Sequence, residues 1–224
     1  ELGLRVNLVG LEGCPYFNFR TLLKDREPEC RDRFEPLKQY LLEEAHPGDL
    51  ILMANLMLMR YADQNERYPI EDMFAYLYGG DYSEQAPKVF AEIAETLADY
   101  RNRGLKLILW APSPLFKAPS FRCADWFNRD NPICAGGLTM PREELEALRS
   151  PILAEMRQLE RAGDTILDSF PILCPDALCR VTAANGRPLF FDGDHLSRYG
   201  NELMYPTFKA LLAKLDVHPE PPQK

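Results

Sequence analysis

The chain has 224 residues, 46% hydrophobic and 27% charged, which are ordinary proportions for a folded globular protein. A chain of that length can bury a continuous core without staples. Its net charge of -8 argues against the phosphate backbone of a nucleic acid as partner and leaves neutral or weakly charged ligands open.

Four glycine junctions organise the sequence. The opening "ELG-LRVNLVG" predicts the last turn of a helix over 1–3 and a strand over 4–9, with the preceding strand and most of that helix expected upstream of Glu1. Glu1 rather than Met as first residue reads as a mature piece or fragment, and no signal peptide is present. A helix is predicted over 34–45, then "AHPG-DLILMAN" turns at Gly48 into a strand over 49–55. The apolar run "LILMANLMLM" at 50–59 is interrupted by Asn55 and falls far short of the ~20 residues of a membrane-spanning helix. Residues 86–103 place Val89, Phe90, Ile93, Leu97 and Tyr100 on one helical face. "NRG-LKLILW" then turns at Gly104 into a strand over 105–110.

A further helix is predicted over 141–162, with Pro141 in its first turn and Pro151 breaking or kinking it. "RAG-DTILD" turns at Gly163 into a strand over 165–168, and a last helix over 196–215 is bent at Pro206. Short apolar strands alternating with helices predict an α/β fold, a doubly wound, flavodoxin-like three-layer sandwich around a parallel sheet. One domain is expected over 1–216, followed by a proline-rich tail over 217–224. The long irregular stretches 112–140 and 170–188 are expected to be functional or stapled.

The six cysteines fall into three sequence-local couples: Cys14 with Cys30, Cys123 with Cys134, and Cys174 with Cys179. No CxxC occurs, and His46, His195 and His218 stand at no zinc-ligand spacing from them. An even count in loops favours three disulfides and an oxidising compartment over six reduced, buried thiols. Sequence alone leaves the connectivity open, with sequential pairing preferred.

The stretch "FFDGDHLSRYGNE" at 190–202 carries the chemistry. Asp192 stands three residues before His195, so a turn can bring its carboxylate to one ring nitrogen and leave the other as a general base. Two other readings stand beside it. Asp192 and Asp194 would suit the start of a helix, where carboxylates answer the dipole. Asp192, Asp194 and His195 would make a sparse metal site, without a second histidine at a recognisable spacing. Gly193 eases the turn in all three.

The surrounding block "LCPDALCRVTAANGRPLFFDGDHLSRYGNELMYP" resembles the C-terminal block of SGNH hydrolases, above all the SGNH domains of bacterial cell-surface O-acyltransferases. "GCP" at 13–15 followed by Cys30, "PGDLILMAN" at 47–55 and "LKLILWAPSP" at 105–114 are similar to that group in order and spacing. The resemblance implies that His195 is the general base and Asp192 its orienter. It places Asn55, at a strand end, as a side-chain oxyanion donor, although the G-x-N-D block is not intact. A strand-end cap is the plain alternative for Asn55, and a turn before a disulfide is the plain alternative to a backbone donor at Gly13.

The family nucleophile is the serine of a Gly-Asp-Ser motif, and these 224 residues contain none. Ser169 in "LDSF" mimics it, but Pro171 follows where a helix should begin; Ser113 in "APSP" meets the same objection. Thr165 sits at the wrong strand end, and Ser197 suits a helix start. The nucleophile is therefore expected upstream, with the first strand.

The implied activity is a serine-dependent O-acyltransferase modifying an extracytoplasmic polysaccharide, probing no nucleic acid and needing no cofactor. Its partners would be an acyl donor, a glycan acceptor and a membrane-embedded acyltransferase domain upstream in the same protein, tethering it at the periplasmic side. A secreted esterase of the same fold shares every residue named. A non-catalytic carbohydrate-binding domain would instead use Trp110, Trp126, Phe121 and Phe127 as a stacking surface, where core and loop packing is the plain alternative.

Overall fold

The computed structural model describes residues 4–10, 13–54, 57–128, 130–161 and 163–217. Its elements run α1 (Pro28–Glu44), β1 (Leu50–Met53), α2 (Met73–Tyr78), α3 (Tyr82–Asn102), β2 (Lys106–Trp110), α4 (Ser120–Cys123), β3 (Thr139–Pro141), α5 (Arg142–Arg161), β4 (Thr165–Leu167), α6 (Phe170–Leu173), β5 (Leu178–Arg180) and α7 (Arg198–Lys214). The α/β fold expected from the sequence is present. Strands β1, β2 and β4 form a parallel sheet in that order, with Leu52 opposite Ile108 and Leu109 opposite Ile166. Helices cross over between them, as parallel neighbours require.

Three glycine junctions are realised as read. Gly48, Gly104 and Gly163 all have φ near +100° (95°, 83° and 111°), a region that a Cβ penalises. Gly48 and Gly104 also meet, the Gly48 N–H donating to the Gly104 carbonyl at 2.8 Å, so the entries to β1 and β2 are tied side by side. Behind them α3 buries Val89, Ile93, Leu97 and Tyr100, a three-to-four-residue repeat that seats the helix on the sheet. Helix α5 does the same through Leu148, Ile152, Met156 and Leu159.

The structure departs from the sequence reading in several places, among them the starts of α1, at Pro28 instead of 34, and α3, at Tyr82 instead of 86. Residues 4–9 form no strand, and Val6 and Leu8 are 80% and 96% exposed. An alternating apolar pattern becomes a strand only where a neighbour supplies the ladder, and β1 is the sheet edge among the described residues. Residues 1–3 lie outside the described residues. Pro141 closes β3 rather than opening the helix, and Pro151 does not break α5. Leu148 and Ile152 on either side of Pro151 bury the same face, and that packing offsets the lost hydrogen bond. A short antiparallel pair, β3 with β5, lies within the long stretches read as irregular.

All three disulfides form with the sequential pairing, Cys14–Cys30, Cys123–Cys134 and Cys174–Cys179. That set suits an oxidising compartment. No helix among the described residues is long and apolar enough to cross a membrane.

Two buried ion pairs align the sheet with its helices. Arg101 at the end of α3 donates to both carboxylate oxygens of Asp164, at 2.8 and 2.7 Å, just before β4. Arg149 of α5, itself buried, bonds Asp168 at 2.6 Å and the Pro112 carbonyl at 3.1 Å, joining the segments that leave β4 and β2.

Glu155 of α5 has one carboxylate oxygen hydrogen-bonded by Tyr82 at 3.1 Å and the other buried without a partner. Burial pushes its pKa from 4.5 up to about 7, against the pull of the Tyr82 hydrogen bond. A raised carboxyl pKa means the folded state holds the proton more tightly. The resulting stabilisation is complete below pH 4.5 and is lost as pH rises through about 7. Glu155→Gln is therefore expected to raise the melting temperature at pH 8 by roughly 2–4 °C, the effect of about 1 kcal/mol in a chain of this size, with the gain shrinking towards pH 5. Thermal melts of both proteins across that range check it.

Candidate active site

The acidic turn is closed by its own backbone. Phe191 N–H donates to the His195 carbonyl at 2.7 Å, and Ser197 N–H to the Leu189 carbonyl at 2.9 Å, while Phe190 and Leu196 form an antiparallel bridge. Within this loop Asp192 is the hub. Its Oδ1 accepts the backbone N–H groups of Asp194 (3.0 Å) and His195 (2.7 Å), and its Oδ2 lies 2.7 Å from His195 Nδ1. With neutral imidazole, Nδ1–H donates to the carboxylate and Nε2 carries the free lone pair.

The helix-start reading is set aside by where α7 begins. Ser197, not an aspartate, is its N-cap, accepting the Gly200 N–H at 3.0 Å and donating to the Pro188 carbonyl at 2.7 Å. Asp192 lies five residues before that cap and spends its oxygens on the turn.

Gly193 has a different reason from the one its position in a turn suggests. Its φ is not positive; rather, a Cβ there would stand 2.6 Å from the Phe116 carbonyl oxygen and 2.8 Å from that of Ala62. Phe116 N–H donates to the Gly193 carbonyl at 2.8 Å, so three loops converge on this residue. Gly200 is likewise pressed against the Leu189 carbonyl.

Electrostatics differ sharply among the three titratable groups. Burial works to raise the Asp192 pKa, but the hydrogen bonds from the His195 ring and from two backbone N–H groups outweigh it and hold the carboxyl at about 2. The Asp192 hydrogen bond raises the His195 pKa above 6.5, opposed by burial and helped by the nearby Asp194 charge. Asp194 is pushed up to about 6 by burial, against the pull of His195 and Arg60. Its Oδ2 lies 3.4 Å from Arg60 Nη2 and 3.8 Å from His195 Nδ1, and its Oδ1 is buried without a partner. The side chains of Asp192 and Asp194 are 7% and 3% exposed, while that of His195 is 58% exposed. A proton-accepting ring therefore stands at the surface on two buried carboxylates.

His195 opens into a cleft of about 270 Å³ shared with Trp110, Ser113, Met57, Asp194 and Asn201. The cleft lies where β1 and β2 end, the crevice in which open α/β sheets take ligands. Trp110 is half-buried there and donates Nε1–H to Ser169 at 3.1 Å. Ser169 is fully buried and shares a 2.8 Å hydrogen bond with Ser113; it immediately precedes the short helix α6, whose first N–H, that of Phe170, is accepted by Asp168 at 3.0 Å, a helix start that Pro171 does not prevent. Gly13, with φ +73°, forms the turn beside the Cys14–Cys30 disulfide. Asn55 lies outside the described residues.

Asp192, Asp194 and His195 offer ligand atoms within 4.8 Å of one another. Both Asp192 oxygens and His195 Nδ1 are already engaged with each other or with backbone N–H groups, so the donors fit a hydrogen-bonded dyad better than a cation. Sequence reasoning reached Asp192 and His195 through the D-x-x-H spacing. It passed over Arg60 and the backbone approach at Gly193, because both depend on loops distant in sequence and carry no local pattern.

The family model described as the SGNH domain fused to AT3 domains matches residues 1–210. The chain belongs to this SGNH-domain family. Among solved structures, this SGNH domain is similar to the periplasmic domain of a lipopolysaccharide acetyltransferase from Salmonella ser. Paratyphi A, at TM-score 0.51 and 12% identity, covering 85% of this chain and 65% of that one. A candidate acylhydrolase from Bacteroides fragilis NCTC 9343 aligns more weakly, at TM-score 0.32 and 14% identity, over 57% of this chain and 51% of its own. The first likeness supports the shared fold; the second carries no argument. The SGNH domain thus spans less than two thirds of either protein's length. No curated protein matches it.

Two outcomes are expected of this site. The His195 ring, followed by NMR, should titrate above pH 6.5, and in Asp192→Asn its midpoint should fall towards 6.5 because the leading cause of the shift is gone. Gly193→Ala should lower stability by about 1–3 kcal/mol in denaturant melts, since the added methyl meets backbone rather than movable side chains.

Proposed function

We propose that this SGNH domain is the catalytic part of a serine-dependent O-acyltransferase that modifies an extracytoplasmic polysaccharide, the acyl group being acetyl. The observation that carries the reading is the 2.7 Å contact of His195 Nδ1 with a buried, ionised Asp192, on a ring that lines the cleft. Such a pair fixes the tautomer and leaves Nε2 to move protons.

In the proposed cycle a serine Oγ attacks the acyl carbonyl of the donor while His195 Nε2 takes the serine proton. Collapse of the tetrahedral intermediate expels the donor's leaving group, which receives that proton, and an acyl-serine remains. A sugar hydroxyl then loses its proton to Nε2, attacks the acyl carbonyl, and releases the serine, which recovers the proton. Asp192 stabilises the imidazolium formed in each half-reaction. Asn55 is the proposed oxyanion donor. The nucleophile is assigned to a Gly-Asp-Ser block of the parent protein that these 224 residues do not contain. The description of the family as fused to AT3 domains supports a membrane-embedded partner that supplies the acyl group and tethers this domain at the periplasmic face. A secreted esterase would run the same first half-reaction and pass the acyl group to water.

Two experiments test this. A fluorophosphonate is expected to label one serine stoichiometrically in the parent protein containing that block, and to lose the label in His195→Ala. Labelling of Ser113, which shares the cleft with His195, would transfer the nucleophile's role to this chain. Absence of labelling in the folded, disulfide-intact parent protein would overturn the acyl-enzyme reading. In steady-state assays the rate should rise with pH through a limb above 6.5, because His195 must be neutral to accept a proton and its pKa is raised. Asp192→Asn should cut turnover by about 10²–10⁴-fold.

A further inference from the structure

Two exposed aromatic pairs lie outside the proton-moving machinery, one of them, Phe121 with Phe191, at the acidic turn itself. Phe121 and Phe191 are 55% and 46% exposed with ring centroids 5.5 Å apart, and Trp126 and Phe127 are 77% and 65% exposed at 5.8 Å. Exposed aromatic clusters of this kind on a folded domain mark interaction sites. We propose that the Phe121–Phe191 pair, extended by Trp126 and Phe127 in the same loop, is a stacking platform for sugar rings of the acceptor polysaccharide. This inference rests on the acyl-transfer reading above and names the subsite that presents the accepting hydroxyl.

The backbone under the first pair is hydrogen-bonded to the loop that carries the dyad. Phe190 is fully buried against Phe116, so its neighbour Phe191 is forced outward at the residue immediately before Asp192. The Phe191 N–H donates to the His195 carbonyl at 2.7 Å, and the Phe191 carbonyl accepts from Phe121 N–H at 3.2 Å and from the Gln64 side chain. Ser120, beside Phe121, donates its hydroxyl to the Phe190 carbonyl. Helix α4, which carries Phe121, is closed by the Cys123–Cys134 disulfide, and Trp126 and Phe127 lie inside the same closed segment. The backbone under both rings of the first pair is thus tied down, which limits what a stacking ligand must order to the side chains themselves.

The chemistry around the rings selects a saccharide. Gln64 and Arg122 border the pair, and Arg122 Nη1 reaches Asn65 Oδ1 at 2.9 Å and the Gln64 carbonyl at 3.3 Å. A pyranose presents an apolar C–H face and a rim of hydroxyls, which matches flat rings bordered by amide and guanidinium groups.

Affinity electrophoresis of this chain through gels containing alkali-deacylated surface polysaccharide from the producing cell tests the proposal without any need for turnover. The wild-type protein should be retarded, and Phe121→Ala, Phe191→Ala and Trp126→Ala should each weaken binding by about tenfold. Phe121→Tyr keeps the flat face and should bind as the wild type does. His195→Ala should also be retarded normally, so loss of chemistry and loss of the platform are read separately. Near-UV circular dichroism and a count of free thiols establish that each variant is folded with its disulfides. A wild-type protein that runs unretarded, alanine variants retarded like the wild type, or a Phe121→Tyr variant as weak as Phe121→Ala would each overturn the platform.

Discussion

The site depends on one carboxylate and how its lone pairs are spent. Asp192 is buried, and an isolated buried carboxylate would take up a proton and cease to act on the histidine. Two backbone N–H groups and the His195 ring prevent that, holding it ionised down to about pH 2. The same three bonds dictate the path of residues 192–195 and the orientation of the ring. Turn geometry and proton affinity are therefore one property. A substitution that alters the charge alters the shape of the loop as well, and an account of His195 that treats the aspartate only as a remote charge omits half of its work.

The turn is held in place by close backbone approach, not by a large apolar contact. At Gly193 the chain passes so near the loops carrying Ala62 and Phe116 that no side chain fits. Behind it, Phe190 against Phe116 supplies the buried anchor, and Ser197 ends the loop by capping α7. Arg149 acts at longer range, holding the segments that leave β2 and β4 through Pro112 and Asp168. Trp110 and Ser113 of the cleft follow from the first of these segments. A buried arginine is costly unless every donor finds an acceptor, and here its bonds align two sheet ends that no disulfide joins.

How much of this was legible in the sequence depends on whether the cause is local. Glycine before a strand is a local cause, and Gly48, Gly104 and Gly163 located β1, β2 and β4 to within a residue or two. Helical periodicity located α5 to within a residue but began α3 four residues late, at 86 instead of Tyr82. The pattern at 4–9 was just as apolar, yet a ladder partner is a non-local requirement that no pattern within the segment reports. Pro151, read as a break or a kink, shows the opposite case: it does not end α5, because burial on both sides of it outweighs the local breaking tendency. At the site, D-x-x-H spacing disclosed the Asp192–His195 pair because three residues suffice to close that turn. The contact of Arg60 with Asp194 spans 134 positions, and Gly193 carries a steric constraint that resembles ordinary turn chemistry until the facing loops are seen.

The disulfides explain how a site built mostly from loops keeps its geometry. Regular strands in the sheet are only three to five residues long, so little of the cleft is framed by extended ladders. Cys174–Cys179 closes the short span between α6 and β5, and Cys123–Cys134 closes the segment after α4. Each removes freedom that a long connection would otherwise recover in the unfolded chain, a stabilisation that grows only slowly with loop length. Neither bridge touches the dyad. They act one step away, on the backbone that carries Phe121 and on the strand β5 that leads through Val181 and Leu189 into the acidic turn, where the Leu189 N–H donates to the Val181 carbonyl at 2.7 Å. Oxidising conditions are thereby built into the site's geometry: the covalent links fix the approach, and the hydrogen bonds of Asp192 complete the turn.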